Sequence, residues 1–323
     1  RYLTNGWMRF ACPPMFTDLN RVDSSRYRGE CTMSITIRFE DRRFMQVCEQ
    51  VAEAAPEFGM DKLSRPVFVI GVPRSGTSLL TKMLLTHPEI GGFPQEGNQL
   101  WHPQLYPWRT QSEAKNVPPY EISPAAFTRE SLLRWQPADS VRIKATFGVA
   151  QYLCGTPVLV NKSAMLCFMI PHVLALFPDA KFIHVIRDGR AATYSRAVKE
   201  GQKKEEHAKI YRERGYFLSR SELLGFAARS WADSIEEIAN RDIEYALSAT
   251  ERMVEVRYED LCAQPTTTVA RLAEFIGVAR DGANLGRIHT HSQNTKYLGE
   301  IDEVTVDRLT QVMAPALRMK GYL

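Results

Sequence analysis

The chain of 323 residues carries 41 Lys and Arg against 37 Asp and Glu, a formal net charge of +4, and 44% of its residues are hydrophobic. That composition excludes a mainly disordered chain and suffices for one large α/β domain or two small ones. The positive excess suits an anionic small ligand but falls short of the concentrated basic stripe of a nucleic-acid binder, and no apolar run approaches the roughly 18 residues of a membrane span.

The first 60 or so residues hold several arginines and one helical stretch, RRFMQVCEQVAEAA, and read as an N-terminal extension packed on the core, 61–323 forming the main domain. From residue 66 the pattern changes to PVFVIG, a short buried strand. A helix follows in SGTSLLTKMLLTH, where Leu79, Leu80, Met83 and Leu84 recur at helical spacing. Residues 93–140 are rich in Pro, Trp and Tyr and predict a long irregular segment; extended to residue 150, it is the stretch expected to cover a site. Beyond it come strands in PVLVNKS, AKFIHVI and MVEVRYEDL, with helices in IPHVLALF, AATYSRAV, SELLGFAARSWADSIEEIAN and PTTTVARLAEFIGV. Strands alternating with helices predict an α/β fold, a P-loop-like central parallel sheet with helices on both faces.

The cysteines Cys12, Cys31, Cys48, Cys154, Cys167 and Cys262 lack C-x-x-C spacing, so no zinc site is expected. With scattered cysteines and no visible secretory leader, a reducing, cytoplasmic setting is the expectation, although six cysteines could also pair in an oxidising one.

Two stretches carry chemistry. In FVIGVPRSGTSLL, 68–80, Gly71 and Gly76 have the spacing of a nucleotide-triphosphate loop, but Thr77 stands where its lysine belongs and Arg74 lies inside the loop. A strand, a glycine loop and a helix N-terminus present backbone N–H groups to a phosphate, and Ser75, Thr77 and Ser78 add hydroxyls. Without the lysine, β/γ-phosphate chemistry with magnesium is disfavoured. In FIHVIRDGRAATYS, Arg187 ends a strand, Asp188 is suited to cap the next helix, and Ser195 follows on that helix, so arginine and hydroxyl are placed to clamp a second phosphate. Either stretch alone is also compatible with a plain strand–helix turn or a surface salt-bridge cluster.

Together they resemble the 5′-phosphosulfate loop and the 3′-phosphate site of sulfotransferases that use 3′-phosphoadenosine 5′-phosphosulfate (PAPS), closest to the branch of tyrosylprotein sulfotransferases and bacterial enzymes. VNKSAM is similar to the family's segment bearing a catalytic lysine, VRYEDL to its tyrosine-containing strand end, and NTKYLGEI to its lysine-bearing loop. The resemblance runs over about 66–323, leaving out the first 60 residues and 98–150. It implies sulfuryl transfer to an acceptor hydroxyl, with PAPS as co-substrate and no metal. Arg74 and Lys162 would stabilise the leaving phosphate; Arg74, Ser75, Gly76, Thr77, Ser78, Arg187, Ser195, Tyr258, Ser292 and Lys296 would hold the nucleotide.

The base is expected in FPQEGNQLWHP. The family's tyrosylprotein branch places a glutamate here, which selects Glu96 across a one-residue gap; Gln95 occupies the ungapped position and His102 is the alternative base. Acceptors compatible with Trp101, Tyr106 and Trp108 include a glycan, a glycolipid, a phenol or a peptidyl tyrosine. A metal-dependent P-loop kinase or NTPase and a non-catalytic nucleotide-binding protein are the competing readings.

Overall fold

The computed structural model describes residues 7–11, 34–38, 43–93, 96–101, 123–201, 219–286, 288 and 290–323. Two strands near the start, β1 (Trp7–Ala11) and β2 (Ser34–Arg38), pair antiparallel with Trp7 opposite Arg38. Helices α1 (Arg43–Ala54) and α2 (Pro56–Lys62) follow, then β3 (Pro66–Ile70), α3 (Thr77–Leu84), β4 (Ile90–Gly92) and the short α4 (Asn98–Trp101). Next come α5 (Pro124–Leu133), α6 (Pro137–Cys154), β5 (Val158–Lys162), a 3₁₀ turn (Ala164–Phe168), α7 (Ile170–Leu176), β6 (Lys181–Ile186) and α8 (Gly189–Gly201). The chain continues through α9 (Arg220–Tyr245), β7 (Met253–Arg257), α10 (Tyr258–Ala263), α11 (Pro265–Ile276), a second 3₁₀ turn (Lys296–Gly299) and α12 (Glu303–Met319).

Strands β4, β5, β3, β6 and β7 lie in that order in one sheet, every neighbour parallel. The central strands are covered on both faces and therefore read as continuous apolar runs. Alternation across β3 divides the core. Phe68 and Ile70 face a layer built with Phe44, Trp101, Phe147 and Phe182, whereas Val67 and Val69 face Leu80 and Leu84 of α3 and Leu272 of α11. Phe68 is the hub of the first layer, with ring centroids of Trp101, Phe147, Phe177 and Phe182 at 5.9, 5.8, 5.6 and 5.8 Å. A third cluster joins α8, α9 and α12 around Trp231, Ile235, Met313 and Leu317.

Three local expectations change. The short strand β4 escapes detection because Ile90–Gly92 has two glycines and no alternation to read. The segment YEDL continues β7 not as strand but as helix α10, with Arg257 extended at its N-cap. The stretch from residue 124 to 140, expected to be irregular, instead holds α5 and the start of α6, which runs on to Cys154. Pro137 sits in the first turn of α6, and a capping box between Gln136 and Asp139 closes its N-terminus. Eight residues of α6 from Ile143 to Gln151 are buried, and α1 and α2 pack against this helix. Cover on more than one side erases the amphipathic stripe that a surface helix would show.

Phe68→Ala should destabilise the protein by about 3–5 kcal/mol, the usual cost of emptying a buried phenylalanine site. Urea unfolding followed by tryptophan fluorescence measures it; a loss below about 1 kcal/mol would contradict the central place given to this ring.

Candidate active site

In a parallel sheet with helices on both faces, the loops at the carboxyl ends of the strands converge on one edge. The candidate residues lie at that edge. Val69 pairs with Lys162, the last residue of β5, and Ile70 pairs with His184, three residues before Arg187.

The first loop leaves β3 through Gly71 and reaches the N-cap of α3 at Gly76. A Cβ on Gly76 would meet the Tyr258 ring at 2.6 Å, and its φ of 99° lies in the left-handed region. Arg74 also has a left-handed φ, 75°, and its carbonyl accepts a 2.9 Å hydrogen bond from Arg187 Nη1. The Ser75 hydroxyl is buried and lacks a hydrogen-bond partner among the described residues, an orphan beside a helix N-terminus. Thr77 is buried, Ser78 and Arg74 exposed. Arg74 Nε donates to Ser195 Oγ at 3.1 Å, so the two stretches singled out in the sequence meet directly.

The second loop is organised by Arg187, only 5% exposed. Its Nε donates to Asn294 Oδ1 at 2.7 Å, and its guanidinium lies 4.4 Å from the centroid of the Tyr258 ring. Burial pushes the Arg187 pKa below the ordinary guanidinium value, opposed by the nearby Tyr258 and Glu259. Asp188 caps α8 as expected: Oδ1 accepts from the Arg190 amide at 2.9 Å, and both carboxylate oxygens receive the Arg190 guanidinium. Tyr258 OH reaches the His291 carbonyl at 3.4 Å, tying down the loop that carries Ser292 and Lys296. Ser292 Oγ accepts from the Asn294 amide at 3.4 Å; Lys296 is exposed at the start of its 3₁₀ turn.

The third group forms around Glu96. One carboxylate oxygen pairs with Lys162 Nζ, and the other accepts from Asn98 Nδ2 at 3.0 Å. The backbone on either side is anchored as well. Asn161 donates to the Glu96 carbonyl at 3.3 Å, and Ser163 Oγ donates to Asn98 Oδ1 at 2.7 Å. The structure thus brings Glu96 and Lys162 together; Gln95 and His102 lie outside the described residues. Trp101, expected at an acceptor surface, is instead fully buried, with Nε1 donating to Asn161 Oδ1 at 3.1 Å. An indole between the apolar hub and β5 has no face left for a ligand. Tyr106 and Trp108 lie outside the described residues.

Two further histidines are engaged away from this edge. His87 Nε2 lies 2.7 Å from the Ala279 carbonyl, and His184 is buried with Nδ1 3.4 Å from Glu255, its pKa lowered by burial. Cys48, Cys154, Cys167 and Cys262 are unpaired, and burial pushes the Cys154 and Cys167 thiols up to about 12. Sequence reasoning missed Asn98, Asn161, Ser163, Glu259, Asn294 and Tyr322. All but Tyr322 stand within two residues of a named candidate, but polar side chains with no motif of their own give no signal until the fold pairs them.

The profile described as the Sulfotransferase family matches residues 66–282. Protein-tyrosine sulfotransferase 1 of Danio rerio is 27% identical, over 79% of this chain and 72% of its own length. Protein-tyrosine sulfotransferase 2 of Gallus gallus is 25% identical over 69% of this chain, and the Drosophila melanogaster protein-tyrosine sulfotransferase 27% over 79%. The chain spans about half the length of these last two, 54% and 51%. Among solved structures, a sulfotransferase from Mycobacterium tuberculosis superposes with a TM-score of 0.52 at 18% identity, covering 84% of each chain, which supports the fold. The cytoplasmic expectation is corrected by these relatives, since protein-tyrosine sulfotransferases are Golgi membrane-anchored enzymes. No described helix of this chain is long and apolar enough to cross a membrane.

Gly76→Ala should cost about 1–2 kcal/mol from left-handed backbone strain alone, before the contact with Tyr258 is counted. Thermal unfolding beside the parent protein reads the loss. An unchanged midpoint would mean that the loop does not hold this backbone conformation.

Proposed function

The chain belongs to the sulfotransferase family, and on that premise we propose that it transfers the sulfuryl group of PAPS to an acceptor hydroxyl and releases adenosine 3′,5′-bisphosphate. One observation carries the proposal: the loop arginine Arg74 and the strand-end arginine Arg187 stand side by side on one sheet edge, with the Ser195 hydroxyl 3.1 Å from Arg74 Nε. That is a pair of adjoining anion positions, and PAPS carries two separate phosphate groups. The orphaned Ser75 hydroxyl and the N-terminus of α3 fit an anion at the first position.

PAPS, when bound, supplies an activated sulfuryl group and a leaving phosphate. The residues supply charge and orientation. Arg74 and Lys162 place positive charge where negative charge grows on the departing phosphate, the part that magnesium and the loop lysine take in nucleotidases. Arg187 and Ser195 hold the 3′-phosphate, with Tyr258, Ser292 and Lys296 along the same nucleotide. Thr77 at the lysine position weighs against the kinase or NTPase reading.

Glu96 is assigned as the base that takes the acceptor proton. Its side chain is 43% exposed and therefore open to an acceptor, while Lys162 and Asn98 restrict its orientation. The relatives' names favour the phenolic hydroxyl of a protein tyrosine as the first acceptor to try; glycans, glycolipids and small phenols follow.

Glu96→Gln should lower turnover of labelled PAPS by roughly 10²–10⁴ while leaving the affinity for the bisphosphate nearly unchanged. Near-normal turnover in that variant beside an inactive His102→Ala variant would move the role to the histidine.

Arg187→Ala should weaken adenosine 3′,5′-bisphosphate by roughly ten- to a hundredfold, and Ser195→Ala by about tenfold. Adenosine 5′-monophosphate, which lacks the 3′-phosphate, should bind weakly to the parent protein and respond little to either change. Calorimetry with both nucleotides separates the cases, and equal losses for the two would remove Arg187 and Ser195 from the 3′-phosphate site.

A further inference from the structure

Beside the phosphate positions lies a polar cluster to which the proposed chemistry gives no task. Three donors converge on Glu259, the second residue of α10. Its Oε1 accepts from the Asp188 amide at 3.3 Å and from Asn294 Nδ2, and its Oε2 accepts from Tyr322 OH at 2.9 Å. An ionised carboxylate suits this setting because it only accepts. Burial and the Glu259 charge together push the Tyr322 phenol well above its ordinary pKa, so it stays protonated and donating.

The orientation of Asn294 follows from that carboxylate. With Nδ2 committed to Glu259, the amide turns Oδ1 toward Arg187 Nε, 2.7 Å away. Reversed, it would set an NH₂ against a guanidinium N–H and a carbonyl oxygen against a carboxylate, two repulsions in place of two hydrogen bonds. Arg187 is then held on three sides, by Asn294 at Nε, by the Arg74 carbonyl at Nη1 and by the Tyr258 ring against its face. Among the described residues this leaves the Nη2 edge for an anion.

We propose that Glu259 is a positioning residue for recognition of the 3′-phosphate, fixing the amide of Asn294 and through it the aim of Arg187, with Tyr322 bracing the carboxylate from beyond α12. The proposal rests on the assignment of Arg187 to the 3′-phosphate. The alternative is that Glu259 merely staples α10, α8 and the end of the chain together. A staple would lower stability and weaken all nucleotides alike; a positioning residue weakens only those that use Arg187.

The test compares adenosine 3′,5′-bisphosphate with adenosine 5′-monophosphate by calorimetry on the full chain, for the parent, Glu259→Ala, Glu259→Gln, Asn294→Ala and Arg187→Ala. Glu259→Ala and Asn294→Ala should each weaken the bisphosphate about five- to tenfold and the monophosphate less than about twofold. In an Arg187→Ala background the same changes should add little, because the lost interactions are shared. Glu259→Gln, which can accept from Asn294 and donate to Tyr322, should recover most of the affinity. Equal losses for both nucleotides, or full bisphosphate affinity in Glu259→Ala and Asn294→Ala while Arg187→Ala discriminates, would overturn the positioning role alone. Failure of Arg187→Ala itself to discriminate would remove the clamp and this role with it. Should Glu259→Ala not fold, Asn294→Ala decides the same question.

Discussion

A hydrogen bond from the Arg187 guanidinium to the carbonyl of Arg74 helps tie the two halves of the site together. It joins the end of β6 to the loop after β3, neighbouring strands whose loops the parallel sheet sends to the same edge. Arg74 has a left-handed backbone that costs a non-glycine residue about 1–2 kcal/mol, and such a conformation persists only when its surroundings hold it. Arg187 grips the carbonyl, Tyr258 blocks Gly76 from the other side, and the Arg74 side chain is thereby directed across to Ser195. A change in any of these residues disturbs both loops.

The cations at this edge are held by different means, and the difference suits their roles. Arg187 is buried and gripped by neutral acceptors and an aromatic face, with Glu259 one residue removed, so among the described residues its charge is compensated without a direct ion pair. Arg74 is exposed and its Nε rests on a hydroxyl, a contact that an anion easily replaces. Lys162 is paired directly with the carboxylate assigned as base. In that pair the lysine and Asn98 together fix the orientation of the glutamate carboxylate. A site that must stabilise growing negative charge while accepting a proton needs both signs close together.

The sheet explains the precision available at the edge. Phe68 and its ring partners hold β3 from one side, α3 and α11 hold it from the other, and the strand ends inherit that rigidity. The same packing explains why Trp101 belongs to the core. Its indole fills space beside Phe68 and Phe147 while its N–H anchors Asn161, which in turn supports the Glu96 backbone. What looks in the sequence like an aromatic surface for an acceptor is here a brace for the Glu96 backbone.

Arg74, Arg187, Ser195, Lys162 and the helix-opening loop were readable in the sequence because each sits at a short-range feature: a glycine spacing, a strand end or a helix start. Backbone geometry imposes such local patterns, and no distant residue is needed to see them. The α/β class followed from the alternation of buried apolar runs with helical periodicity. The three-residue β4 and the buried α6 stayed hidden, since one is too short for a period and the other is covered on more than one side. Glu259, Asn294 and Tyr322 span 64 positions of the chain, with no repeated spacing between them, and only the fold brings their polar atoms within hydrogen-bond distance. The sequence by itself determined which loops could meet an anion. The tertiary structure decided which side chains aim them, because orientation depends on partners that have no local signature.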